Sequence, residues 1–243
     1  MDFPQLIEQI AEAPIGVFAW VRGDGTPGSC PVTPYVVGDT VVVTSTLAYT
    51  AKAAAVRRDP RVAVLAGGVL VSGRAEVFVD ESPHWFDEHI RDIEVQKFPP
   101  TRSILSIPGH RCLFPWYVGR IVIRFRPDAA ECVGDDAVTA TRLVDDGRLR
   151  IDPVDVDGAG APVVTSMPDG PISMLFHEEH GDMADLRQVS VRGVVRAGGF
   201  VEQRRSGSMD PAPTGTVAQL GQLRSLARSA KRNRDTIRAW GAA

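Results

Sequence analysis

The stretch VVVTSTLAYTAKAAAVRRDPRVAV runs from Val41 to Val64, and the rest of the chain is read outward from it. It opens on a β-branched run and closes on another, Arg61 to Val64, so a strand is expected at each end. Residues 47 to 58 between them are rich in alanine, a strong helix former, and Pro60 breaks the helix after Arg57 and Arg58. Thr44, Ser45 and Thr46 stand where the strand ends, and Lys52 falls in the first two turns of the helix. Hydroxyls commonly cap helices, so a capped helix with a solvated lysine accounts for the pattern. A phosphate site accounts for it as well. Strand-end hydroxyls donate, the helix N-terminus adds free N–H groups and a favourable dipole, and a lysine supplies a point charge. Arg57 and Arg58 are more distant reserves.

Upstream, Leu6, Ile7 and Ile10 predict a short amphipathic helix ended before Pro14. Ile15 to Val21 is apolar and reads as a buried strand. Asp24-Gly25 marks a hairpin turn, and PVTPYVV precedes the TVVVTS strand. Downstream, RVAVLA and VLVSGRAEVFV are the next strand pair. ESPHWFDEHIRDI reads as a helix with Ser82 as its cap and Pro83 first. A loop-rich connector then leads to WYVGRIVIRFRP, where Ile121, Ile123 and Phe125 alternate with Arg120, Arg124 and Arg126.

From Asp135 to Gly160 the chain turns acidic and glycine-rich, and a boundary is placed there. PVVTS, PISMLFH and RQVSVRGVVRA are three further strands, RRSGSMDPAPTG is a flexible linker, and Val217 to Trp240 is helical. A weak internal repeat is visible. Val43-Thr44-Ser45 recurs as Val164-Thr165-Ser166, and Val71-Ser72-Gly73 as Val191-Arg192-Gly193. The expected fold is mainly β with minor α: a split β-barrel over 1–133, a degenerate second barrel-like unit over 134–205, and a linker with a C-terminal helix over 206–243.

Composition bounds the function. The 243 residues are 44% apolar and 23% charged, ordinary for a globular protein, and a net charge of −3 gives no global pull toward nucleic acid or an anionic membrane. No apolar run approaches the ~20 residues of a membrane span. The polar, acidic start does not read as a signal peptide. Cys30, Cys112 and Cys132 are few and scattered, which fits a reducing cytoplasm.

The span from Ile15 to Val79 resembles the flavin-binding split barrel of the pyridoxamine 5′-phosphate oxidase superfamily. The resemblance lies in the ordered series IGVFAWVRGDGTPGSCPVTPYVV, VVVTS, AKAAAVRRDPRVAV and VSGRAEV, with RDPRVAV after the lysine helix as its most telling piece. It implies that Pro31, Val32 and Thr33 lie beside the flavin, and that Thr44, Ser45 and Lys52 hold its phosphate. LRQVSVRG, Leu186 to Gly193, resembles the Arg-Gln-Val strand of the same superfamily, whose glutamine approaches the flavin. That maps onto Gln188, and the first copy has GGVLVSG instead. The cofactor implied is FMN, with F420 as the alternative because the basic C-terminal helix would attract its anionic tail. Members are usually homodimers, so a homodimer or an intramolecular pseudo-dimer is expected.

The function expected is therefore an FMN-binding oxidoreductase acting on an unidentified small molecule that enters near residues 96 to 117. The alternatives are an F420-dependent reductase and a non-catalytic flavin- or haem-binding barrel. No residue is singled out as catalytic and no metal set is assigned. His177-Glu178-Glu179-His180 reads as a solvated hairpin loop, and Trp116 and Tyr117 as core or interface residues opening a strand, with flavin stacking as the alternative.

Overall fold

The computed structural model describes residues 2–98, 101–102, 105–134, 137–158, 161–180, 185–210 and 216–241. The first sheet contains β1 (Gly16–Val21), β2 (Pro27–Val32), β5 (Arg61–Ala66), β6 (Val69–Arg74) and β9 (Pro127–Cys132), ordered β2-β1-β5-β6-β9. The second contains β3 (Pro34–Val37), β4 (Thr40–Thr46), β7 (Glu76–Asp80) and β8 (Arg120–Phe125), ordered β3-β4-β8-β7. Every pairing is antiparallel. The chain changes sheet at three single residues: Thr33 between β2 and β3, Ala75 between β6 and β7, and Arg126 between β8 and β9. These corners turn two sheets into a split barrel. They also divide PVTPYVV and VLVSGRAEVFV, each read as one strand, into two.

Phe18, Trp20, Val41, Val43, Val64, Ile121 and Ile123 meet inside the barrel. Helix α1 (Phe3–Glu12) starts at a capping box between Asp2 and Gln5 and adds Leu6, Ile7 and Ile10 to that core. Helix α2 (Ala51–Arg58) adds Ala53, Ala55 and Val56. Each aliphatic side chain removed from water contributes about 1.5–3 kcal/mol.

The outer faces of both sheets are covered too, which explains why every residue of β1 is buried. Over the second sheet, Tyr35, Val42 and Val122 lie under Phe86 of α3 (His84–His89) and Ile90, which joins α3 to α4 (Arg91–Lys97). The cap of α3 is Asp80, not Ser82. One carboxylate oxygen accepts from the His84 amide at 3.1 Å and the other from Phe86 at 2.8 Å. Short helices α5 (His110–Leu113) and α6 (Pro115–Val118) precede β8, so Trp116 and Tyr117 are helical rather than the start of that strand.

Over the first sheet lies a third. It contains β10 (Val138–Leu143), β11 (Leu149–Pro153), β12 (Gly170–His180), β13 (Asp185–Arg196) and β14 (Gly199–Ser208), ordered β11-β10-β12-β13-β14. Leu149, Ile151 and Leu175 pack on Val17, Ala19, Val21, Ala63, Leu65 and Leu70. The second unit is thus a single sheet laid against the barrel. Its strands β10 and β11 fall inside the acidic segment read as a boundary. Strand β14 takes up the RRSGS read as linker. PVVTS forms no strand, and Val164 is tucked under the outer face of the third sheet.

The internal repeat is half real. Val43-Thr44-Ser45 lies in β4, whereas Val164-Thr165-Ser166 runs into a turn. The other pair agrees in detail: ladder register shifts between Ser72 and Gly73 in β6, and between Arg192 and Gly193 in β13. Both are bulges. A Cβ on Gly73 would meet the Arg126 carbonyl at 2.8 Å, and one on Gly193 the Val201 carbonyl at 2.2 Å.

The C-terminal helix α7 (Thr216–Gly241) returns to the barrel. Asn233 Nδ2 donates to the carbonyls of Leu47 at 3.2 Å and Ala48 at 3.0 Å, and Ile237 is buried. Among the described residues no helix is long and apolar enough to cross a membrane.

Candidate functional site

Strand β4 pairs with β8, which sets Thr46 opposite Arg120 and Thr44 opposite Val122. Side chains alternate along a strand, so Thr44 and Thr46 share the outer face with Val42, and Ser45 shares the inner one with Val41 and Val43. Where α4 and α6 approach that outer face, a pocket of about 180 Å³ opens. Thr33, Thr44, Ser45 and Thr46 line it on the strand side, and Glu94, Phe98, Tyr117 and Arg120 on the other, with Tyr35 between.

Arg120 is 2% exposed. Its Nη2 donates to Glu94 Oε1 at 3.1 Å, and its guanidinium lies 4.4 Å from the Phe86 ring centroid and 4.9 Å from that of Tyr117. Glu94, also buried, accepts from the Tyr35 hydroxyl at 2.9 Å on Oε2 and from Thr101 at 2.9 Å on Oε1. Thr101 and Tyr117 hydroxyls stand 3.0 Å apart. Burial first, and then the Glu94 charge, push the Tyr35 phenol well above its usual pKa, so Tyr35 remains a donor. Burial also raises Tyr117. Among the described residues two polar atoms at this pocket have no hydrogen-bond partner within geometric limits, Arg120 Nη1 and Thr46 Oγ1, although the guanidinium lies close enough to the Tyr117 hydroxyl to favour its ionised form. A buried donor left unpaired costs about 1–3 kcal/mol, and an ionised one more.

Lys97 lies close by. Its Nζ donates to the carbonyls of Ala13 at 2.9 Å and Pro34 at 2.7 Å and lies 5.8 Å from the Tyr35 ring centroid. These bonds favour the ammonium, but burial outweighs them and lowers its pKa to about 8.

Of the residues singled out in the sequence, Thr33, Thr44 and Ser45 are brought together here. The others lie apart. Val32 points into the barrel core, and Pro31, paired with Val17, belongs to the face that meets the third sheet. Lys52 does not line the pocket; its Nζ stands 5.9 Å from the centroid of the buried Phe18 ring. Gln188 is exposed on β13, with its backbone paired to His177 and Ser208. The HEEH segment is the end of β12, not a loop, and the side chains of Glu179 and His180 lie outside the described residues. Among the described residues no cluster of three metal-ligating side chains occurs.

Sequence reasoning missed Arg120, Glu94 and Tyr35. Arg120 carried a signal, because it opens a strand of otherwise alternating arginines, but nothing in that alternation marks it as the buried one.

No family model and no curated protein matches this chain. Solved structures do resemble it. General Stress Protein 26 from Bacillus anthracis is 17% identical, with 54% of this chain and 94% of that one covered at a TM-score of 0.39. A FAD-binding protein from Mesorhizobium loti is 19% identical, covering 54% and 92% at 0.37. An F420 reductase is 19% identical, covering 51% and 94% at 0.36.

Proposed function

We propose that this chain is a flavin-type oxidoreductase that holds the phosphate of FMN in the pocket between β4, β8 and α4. The observation that carries the reading is the buried guanidinium of Arg120, whose Nη1 lacks a partner among the described residues, as Thr46 Oγ1 does, in a pocket that Thr33 and Thr44 also line. An oxyanion satisfies both at once, and a charge-assisted bond from arginine is the strong kind. The fit is with one end of the cofactor. A volume of about 180 Å³ takes a phosphate and the chain next to it, not a three-ring system as well.

The flavin, once bound, supplies the hydride and electron transfer. The chain's own residues bind and orient. Glu94, fixed by Tyr35 and Thr101, holds Arg120 Nη2 and so fixes the guanidinium at the pocket wall. Phe86 and Tyr117 flank the guanidinium and keep water from it. Thr33, at the corner between the sheets, links this pocket to the Pro31–Val32 strand.

Thr46→Val is the test, because valine keeps the shape and removes an unpaired hydroxyl. Stability should hold or rise, while FMN affinity falls about tenfold, the worth of one good hydrogen bond. Unchanged FMN affinity with the fold intact would remove this pocket from cofactor binding. Titration with F420 alongside FMN decides which of the two is the cofactor.

A further inference from the structure

Helix α7 does not lie flush on the barrel. Between it and the ends of β4 and α6 is a cavity of about 340 Å³. Leu47, Pro115 and Trp116 form its barrel wall. The helix contributes Ala227, Ala230, Lys231, Arg234 and Ile237, a set spaced three or four apart and so on one face. Alanine at 227 and 230 is what leaves the space, since larger aliphatic residues would fill it.

Two features set this cavity apart from a packing gap. Its lining is largely apolar with few polar groups, the composition of small-molecule sites of this size. The charges at its rim are unbalanced, with Lys231 and Arg234 against the single acid Glu81. Among the described residues neither cation makes an ion pair. The cavity is also separate from the cofactor pocket. Thr46 and Tyr117 line that pocket, whereas their neighbours Leu47 and Trp116 line this one. The Leu47 amide donates to the Trp116 carbonyl at 3.1 Å, closing the wall between them.

We propose that this cavity is a second binding site, for a small flat aromatic anion bearing a carboxylate, sulfonate or phosphate. The ring lies between Trp116 and the alanine face of α7, and the anionic group meets Lys231 and Arg234. The site is independent of whether the other pocket holds a flavin.

The probe is 1-anilinonaphthalene-8-sulfonate, titrated by fluorescence into the full chain. Expected are saturable binding of one probe per chain, a raised Tm, and no displacement by FMN. Ala230→Phe, which fills the cavity, should abolish binding. Lys231→Glu with Arg234→Glu, both at the exposed rim and harmless to folding, should weaken it at least tenfold. The uncharged N-phenyl-1-naphthylamine should bind at least tenfold more weakly than the sulfonate. Unsaturable binding, binding that ignores these substitutions, equal affinity for the neutral probe, or displacement by FMN would each overturn the site.

Discussion

At position 120 a guanidinium lies in the interior between two aromatic rings, with Nη2 bonded to Glu94 and Nη1 without a partner among the described residues. Removing one member of a buried pair strands the other, so Arg120→Met should cost about 3–5 kcal/mol in urea denaturation. Adding Glu94→Gln to it should recover part of that loss, because no charge then remains buried. Simple summation of the two single costs would contradict the pairing. The sequence hides this role because Arg120, Arg124 and Arg126 alternate alike with apolar residues. Only the cover from α3 and α4 separates them: Arg124 pairs with Glu76 at the surface, while Arg120 is shut in. Lys97 gives a pH signature. Its pKa is about 8 in the folded chain, against about 10.4 for an unfolded lysine. Between those values the unfolded chain binds more protons, so stability rises as pH rises through that window. The rise should be no more than about 1–2 kcal/mol, since Lys97 is still partly solvated. Melting curves of Lys97→Met from pH 7 to 10.5 should lack this rise relative to the parent chain, and an equal slope in both would refute it.

Elements were legible where their pattern is local. The alanine helix between two β-branched strands is present, though it begins at Ala51 and not at residue 47, and the Asp24-Gly25 turn stands as read, with φ of 78° at Gly25 and Asp24 Oδ1 accepting from the Thr26 amide at 3.0 Å. Elements set by distant partners were not legible. Asp80 outcompetes Ser82 as the cap of α3 because it ends β7 with both carboxylate oxygens facing the helix amides. Asp80→Ala should therefore cost about 1–2 kcal/mol and Ser82→Ala almost nothing, as thermal denaturation can measure. Strands β10 and β11 were hidden by acidic and glycine-rich surroundings, and β14 by its polar RRSGS end. Val138, Thr139 and Thr141 favour extension in β10, but it is pairing with neighbouring strands that fixes all three in the sheet. The bulge glycines are the element-scale signal that did survive. Gly193→Ala would drive a Cβ into the Val201 carbonyl and should unpair β14 from β13, visible as faster amide exchange confined to that edge.

The whole molecule is a split barrel with both outer faces covered by its own chain, one by helices and one by a third sheet. That second cover was only partly readable. GVFAWV announced burial on both faces, but nothing local said that Leu149, Ile151 and Leu175 would supply the cover. Leu175→Asp buries a carboxylate against Ala63 and Leu65 and should separate the sheets, seen as lowered Tm and new exposure of apolar surface. The pocket sits on the other side of the barrel, and its legibility was also divided. The hydroxyl end of β4 was visible as a phosphate-type signal, while the cation beside it is the arginine of β8 rather than the lysine of α2. In the function proposed above, the chain grips the phosphate end of the cofactor. The direct measurement is a side-by-side titration with FMN and riboflavin, which differ by that phosphate alone, followed by flavin absorbance and fluorescence. One FMN per chain is expected, with riboflavin at least tenfold weaker. Equal affinities, or no binding of either, would contradict it.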